Sequence, residues 1–333
     1  MKNNLRRIFG LAIVMVCFTF SAMPAMAWDD VGHKITAYVA WQRMTPEVRE
    51  RVIDILRQAP DDSDLATFFM ANGFTSLDTR KREYFELVAT WADIVRDFAF
   101  EPQYKKVFES RFKKYNKPNW HYSDTFWRQI DGKVELQPAP DEGGQAIERL
   151  VQFDKVIRDA SASNAEKAIA IAWIMHLGGD IHQPLHTSAR VTDLEPKGDQ
   201  GGNLFQLTPK GTARADQVNL HWFWDSIVGR NVPLKGDMSD RQYVESVGNA
   251  MMKKYPYARV QNRLELGQYD EWKKETFVLN NTDVFRPDLK RFEMPSAQYR
   301  KNAYRVAEQQ LTLAGYRLGE TMNAVFGISK PNP

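Results

Sequence analysis

Cysteine is all but missing from this chain of 333 residues, where Cys17 is the only one. It falls in an amino-terminal segment in which Lys2, Arg6 and Arg7 precede an apolar run from Ile8 to Phe20, followed by Ala25-Met26-Ala27. That is the order of a secretory signal peptide, read as residues 1–27 with cleavage before Trp28. The run is shorter than the ~20 apolar residues of a membrane span, which argues against an uncleaved anchor. After cleavage no thiol remains, so a disulfide framework is excluded and stability must come from a core and from bound metal. A surplus of charge is missing too. The leader holds three of the 45 basic residues and none of the 42 acidic ones, leaving 42 of each. Binding of a polyanion by overall charge is thereby excluded, and such affinity must come from local patches or bound cations. The expected destination is the periplasm or the exterior, with no membrane association once the leader is gone.

Hydrophobic residues make up 43% of the chain and aromatics 12%, enough for a sizeable core. The pattern after Trp28 is mainly helical. Residues 31–44 lead into Thr45-Pro46-Glu47, where Thr45 caps a helix with Pro46 at its first position, running to about Gln58. Further helices are expected at 79–99, 101–115, 143–160, 164–180, 218–229, 239–254 and 296–326. The last carries Tyr299, Ala303, Val306, Ala307, Leu311, Ala314 and Leu318, a core-facing stripe at helical spacing. Residues 203–208 are expected as one strand of a short β-hairpin. Residues 130–144 and 188–202, rich in Pro, Gly and Asp, read as loops of the kind that carry sites. Repeats and linkers are lacking, so residues 28–328 are taken as one domain, with 329–333 as a flexible tail.

Histidine is scarce, yet half of it is concentrated. Of six in the chain, three fall in the segment His176-Leu-Gly-Gly-Asp180-Ile-His182-Gln-Pro-Leu-His186. Neutral imidazole and carboxylate suit zinc. A helix would set His176 and Asp180 about 40° apart on one face. His221 and Asp225 repeat the spacing. Two such pairs read as a multinuclear metal site, which suits hydrolytic chemistry. His33, Asp93 and His121 could complete the ligand sets, since each zinc needs about three or four protein ligands. Taken singly, each is more often a packed or surface residue than a ligand. His182, between Asp180 and His186, reads as a supporting or structural residue rather than a ligand.

Trp28…His33, Trp91-Ala-Asp93-Ile-Val-Arg96, His121-Tyr122-Ser-Asp124, His176-x-x-x-Asp180-Ile-His-Gln-Pro-Leu-His186, Gly201-Gly202-Asn203 and Asn219-Leu-His221-x-x-Trp224-Asp225 occur in one order. With Ala307-Glu-Gln-Gln-Leu-x-Leu-Ala-Gly315-Tyr-Arg-Leu they span the mature chain. The ordered set resembles the S1/P1 nucleases, trinuclear-zinc single-strand nucleases of the zinc phospholipase C superfamily. The resemblance implies a mainly α, single-domain helical fold of that type with a short β-hairpin. It implies three zinc ions: one held by Asp93, His121, His176 and Asp180, a second by His186, His221 and Asp225. The third would be shared by Asp180 and held also by His33 and by the terminal amine and carbonyl of Trp28. Two departures stand out: Asp29 occupies a position where Gly is usual, and the disulfides of fungal members have no counterpart here.

The implied reaction is hydrolysis of phosphodiesters in single-stranded DNA and RNA to 5′-phosphates, with 3′-mononucleotides as further substrates. Asp93 and Asp180 would take part as ligand carboxylates. Zinc makes water acidic near pH 7 and stabilises the departing 3′-oxygen without a general acid. Arg96 would steady the phosphate charge, and Asn203 in the Gly-Gly-Asn turn could donate to a phosphate oxygen. Tyr122, directly after His121, could stack on a base, and Asp124 could accept from a base edge. Stacking needs an unstacked base, hence a preference for single strands. No stable protein partner is implied. A zinc phospholipase C shares the ligand scaffold, although Asp225 stands where such enzymes are expected to have Glu. An exported zinc-binding protein without turnover is the non-enzymatic alternative.

Overall fold

The computed structural model describes residues 28–69, 75–98, 114–139 and 143–327. Helices dominate. In chain order they are α1 (Asp30–Arg43), α2 (Pro46–Leu56), α3 (Leu77–Phe98), α4 (Ala146–Arg158), α5 (Asn164–Asp180), α6 (Leu220–Asp225), α7 (Ile227–Asn231), α8 (Asp240–Lys254), α9 (Tyr257–Val260), α10 (Tyr269–Leu279) and α11 (Ala297–Phe326). The starts follow local chemistry. Thr45 Oγ1 accepts from Val48 N at the head of α2, where Pro46 occupies the first turn. Ser163 and Glu166 form a reciprocal capping box that launches α5. Asn219 Oδ1 accepts from Trp222 N at the start of α6.

Two aromatic-rich cores flank the centre of the molecule. One gathers Trp41, Phe85, Trp91, Phe153 and Trp173 from α1, α3, α4 and α5. The other gathers Phe223, Trp224, Tyr243, Tyr299 and Leu311 around α6, α8 and α11. Trp173 is fully buried, and losing a ring of that size from a core costs about 3–5 kcal/mol. Among the described residues no helix is long and apolar enough to cross a membrane.

The sheet departs from expectation. Its hairpin is β1 (Thr125–Ile130) and β2 (Lys133–Leu136), antiparallel, turning at Asp131-Gly132 with both residues at positive φ. β3 (Ser188–Arg190) adds parallel to β1, giving the order β2-β1-β3. The stretch 203–208 contributes only the isolated bridge Gln206↔Asn219 and is not a hairpin strand. The segments read as loops at 130–144 and 188–202 therefore contain β2 and β3. The Asp-Gly pair between Thr125-Phe-Trp-Arg-Gln-Ile and Lys-Val-Glu-Leu136 is the turn signal that a count of Pro, Gly and Asp obscures. The helix expected at 218–229 is broken after Asp225, where Ser226 leaves helical geometry and its Oγ donates to Trp222 O. α9 and α10 were not expected. Of the helix expected at 101–115 only residues 114 and 115 are described, and these are helical. The leader, 1–27, and the tail, 329–333, lie outside the described residues.

Candidate metal centre

His33 projects from the second turn of α1, Asp93 and Arg96 from the last turns of α3, and His176 and Asp180 from the end of α5. His121 precedes β1, His186 closes a short turn after α5, and His221 and Asp225 sit on α6. All six imidazoles and carboxylates among His33, Asp93, His121, His176, Asp180 and Asp225, and both remaining rings, His186 and His221, are nearly or fully buried. They fall into three groups whose ligand atoms lie within 4.8 Å of one another: His33, His176 and Asp180; Asp93, His121 and His176; His186, His221 and Asp225.

The spacing is that of a cation cage. Asp180 Oδ2 lies 3.4 Å from His121 Nδ1 and 3.3 Å from His176 Nε2. Asp93 Oδ1 lies 3.7 Å from His121 Nδ1 and 3.6 Å from His176 Nε2. A tetrahedron with metal bonds of 2.0–2.1 Å has edges of about 3.3 Å. The other oxygen of Asp180, Oδ1, faces His33 Nε2 at 3.3 Å. One carboxylate thus addresses two groups of donors. In the third group His221 Nε2 stands 3.4 Å from Asp225 Oδ2, and His186 Nε2 3.9 Å from Asp225 Oδ1.

Tautomers are set by the backbone. The Nδ1 of His176 bonds Ala89 O at 2.8 Å, that of His186 bonds His121 O at 2.6 Å, and that of His221 bonds Gly201 O at 2.7 Å. Each N–H donated there leaves the Nε2 lone pair turned inward, the arrangement that orients metal-binding histidines. Gly201 adopts φ +59°, and a Cβ there would meet Leu185 O at 2.4 Å, so the carbonyl that holds His221 requires glycine. Gly179 leaves room for the His33 ring, since a Cβ would meet its Nδ1 at 2.9 Å.

Electrostatics point the same way. Burial pushes His33 down to about 4, His176 downward, and His121 and His186 well below the usual imidazole range. These rings are neutral near pH 7 and competent as donors. Burial drives the Asp180 and Asp225 carboxyls far upward. Among the described residues, Asp180 Oδ1 and Oδ2, Asp225 Oδ2, His33 Nε2 and His186 Nε2 are buried with no hydrogen-bond partner. Several orphaned acceptors in one place, some of them carboxylate oxygens, are costly in apolar surroundings and are satisfied by a cation. The residues fit two or more divalent metal ions of the kind bound by nitrogen and oxygen.

A cleft of about 630 Å³ opens onto the cluster. His121, His186 and His221 line it together with Arg96, Tyr122, Asp124 and Asn203. Arg96 is buried, and its Nη2 pairs with Asp93 Oδ1 at 2.8 Å. Tyr122 and Asp124 are half-buried on one wall. Asn203 stands in the wall formed by residues 194–204, where its amide donates to Gln200 O and accepts from Asn219 Nδ2. Trp28 is fully buried, and the neighbouring Asp29 N–H donates to Asp225 O at 3.1 Å. Asp29 caps α1 by accepting from Gly32 N, and burial raises its carboxyl to about 6. His182 stays apart from the cluster. Its Nδ1 bonds Gly178 O and its Nε2 accepts from Arg317 Nη1 at 2.7 Å.

Two supporting residues escaped the sequence reading. Gln183 Nε2 donates to Asp225 Oδ1 at 2.7 Å while its Oε1 accepts from Leu185 N. Its place inside the histidine-rich segment was the available signal. Lys273 Nζ donates to Ser123 Oγ and Asp124 O, steadying the segment behind Tyr122. The buried stripe Tyr269, Trp272 and Thr276 would have revealed the helix that carries it.

A model of the family described as S1/P1 Nuclease matches residues 28–327. Nuclease S1 of Aspergillus oryzae is 26% identical over 200 residues, 60% of this chain and 53% of the relative, so the match spans about half of that protein's length. Nuclease P1 of Penicillium citrinum is 23% identical over 312 residues, 90% of this chain and 98% of the relative. Nuclease PA3 of a Penicillium species is similar to the same extent.

Proposed function

The chain belongs to the S1/P1 nuclease family and is on that ground a nuclease, and from this premise we propose that it is an exported, zinc-dependent endonuclease. Its substrates are phosphodiesters of single-stranded DNA and RNA, cut at the 3′-oxygen to leave 5′-phosphates, with 3′-mononucleotides as further substrates. The observation that carries this reading is Asp180, whose two buried oxygens face different imidazoles, Oδ1 toward His33 and Oδ2 toward His121 and His176. A structural or storage site gains nothing from a carboxylate shared between imidazoles behind a cleft, whereas closely set cations suit in-line displacement at phosphorus.

In this reading Asp93, His121, His176 and Asp180 hold one zinc, and His186, His221 and Asp225 a second. Asp180, His33 and the terminal amine and carbonyl of Trp28 hold a third. Zinc there supplies Lewis acidity and makes water acidic near neutral pH. The remaining work falls to the protein. Asp93 holds the guanidinium of Arg96 at the cleft, where its charge meets the phosphate. Tyr122 offers a ring face for an unstacked base, and Asp124 an acceptor for a base edge. Gln183 and the Ala89, His121 and Gly201 carbonyls keep Asp225 and three imidazoles aimed inward. Residues 28–328 act as one domain, released by removal of the leader.

Elemental analysis tests the shared carboxylate. Native protein is expected to hold three zinc ions per chain, and Asp180→Ala to lose more than one. Loss of a single zinc with activity retained would end this assignment.

A further inference from the structure

The wall of the cleft formed by residues 194–204 has little regular structure of its own. Leu194, Glu195, Asn203 and Leu204 line the cleft, and Leu194 is 78% exposed at its lip. The wall is gripped from behind by a residue far along the chain. Arg291 Nη2 bonds Glu195 Oε1 at 2.7 Å, and Arg291 Nη1 bonds Leu204 O at 2.7 Å. The guanidinium lies over the Phe205 ring, 4.4 Å from its centroid. Glu195 is nearly buried by this grip, and its other oxygen is engaged by Thr192 Oγ1. The next residue, Phe292, takes φ +63°, uncommon for a bulky side chain, and its N–H bonds Gln206 O at 2.7 Å.

We propose that Arg291 is a positioning residue for nucleic-acid binding, acting through Glu195 and the Leu204 carbonyl to hold the 194–204 wall in shape. The proposal rests on the nuclease reading for its substrate. A planar fork offers its N–H groups to two separated acceptors in a fixed geometry, with less freedom lost than by an ammonium on a flexible stem. Charge-assisted bonds of this kind tie the two ends of the wall to one point, so Leu194 and Leu204 keep a fixed separation. Neither Arg291 nor Glu195 belongs to the three donor groups, and the wall meets those groups at the Gly201 carbonyl that holds His221, so the grip acts first on the path of the strand.

The experiment compares native protein with Arg291→Ala, Arg291→Lys and Glu195→Gln on two substrates: oligothymidylate and bis(p-nitrophenyl) phosphate, a small diester with no flanking nucleotides to lay along the wall. All three variants are expected to raise KM for the oligonucleotide roughly tenfold, the scale of one lost charge-assisted bond. Their kcat on the small diester and their zinc content are expected to match native protein. Trypsin is expected to cut after the exposed Lys197 faster in each variant while cutting elsewhere stays at the native rate, a selectivity that a general loss of stability does not produce. Unchanged oligonucleotide KM in Arg291→Ala, or equal losses on both substrates with loss of zinc, would overturn the positioning role and leave the nuclease reading intact. Native protein that hydrolyses neither diester would overturn the nuclease reading and the substrate role with it.

Discussion

Single side chains carry two separable duties at this site, and Tyr122 and Asp180 represent them. Asp180 is fully buried among donors, whereas Tyr122 is half-buried on the cleft wall with no place in the three donor groups. Tyr122→Ala is therefore expected to weaken binding of a single-stranded oligonucleotide by about 1–3 kcal/mol, the worth of one base stacked on a ring. Zinc content should be unchanged. Binding titration and elemental analysis on the same preparation check both halves, and loss of metal or of folding would mark Tyr122 as a core residue. The clustering of His176, Asp180, His186, His221 and Asp225 was legible in the sequence because histidine is so scarce and the His-x-x-x-Asp spacing repeats, whereas His33, Asp93 and His121 were picked out by the family resemblance. Gln183 and the carbonyls of Ala89 and Gly201 were not legible. They act by hydrogen bonds between residues distant in the chain, which leave no periodic trace.

Helix ends matter more than helix interiors here. The centre is assembled from the start of α1, the last turns of α3 and α5, and the short α6, whose limits are set by Asn219 and Ser226. The start of α1 is tied to α6 through the Asp29 N–H and Asp225 O, the residue after Trp28 bonding the backbone of a donor residue. If the Trp28 amine is a ligand, it must be free and unprotonated, and an amine near pKa 8 yields its proton readily to a metal. A variant with one retained Met before Trp28 is expected to hold two zinc ions and to be nearly inactive. Mass spectrometry establishes retention of the Met, and equal zinc and equal activity in the two forms would exclude the amine as ligand. Most helices could be read from caps and stripes such as Thr45-Pro46 and Tyr299 to Leu318. The β1–β2 hairpin and α10 were missed. The Asp131-Gly132 signal lies in a stretch whose composition reads as loop, and the Tyr269, Trp272, Thr276 stripe is only three residues long.

Across the whole molecule, the folded chain without metal carries a cost that depends on pH. Burial lowers the imidazoles of His33, His121, His176 and His186, so their contribution is present above about pH 6.5 and lost as pH falls. Burial raises the carboxyls of Asp180 and Asp225, so theirs is present at low pH and lost as pH rises. Above about pH 6.5 the imidazole part is complete and only the carboxylates act. Glu86, raised to about 8 by burial, weakens both forms alike. Calorimetry of chelated and zinc-loaded protein between about pH 6.5 and 8.5 should show the Tm gap widening with pH, because bound cations neutralise Asp180 and Asp225. A constant or narrowing gap would mean that these carboxylates are not metal ligands. The claim that joins these scales is that the cleft and its cluster form one hydrolytic centre for single-stranded nucleic acid. Its most direct test is cleavage of a single-stranded oligonucleotide by the purified mature protein before chelation, after chelation, and after zinc is restored. Cleavage to 5′-phosphorylated products, lost with chelator and regained with zinc, is the expected result. Failure to cleave, cleavage indifferent to chelator, or release of phosphocholine from lecithin in its place would contradict it.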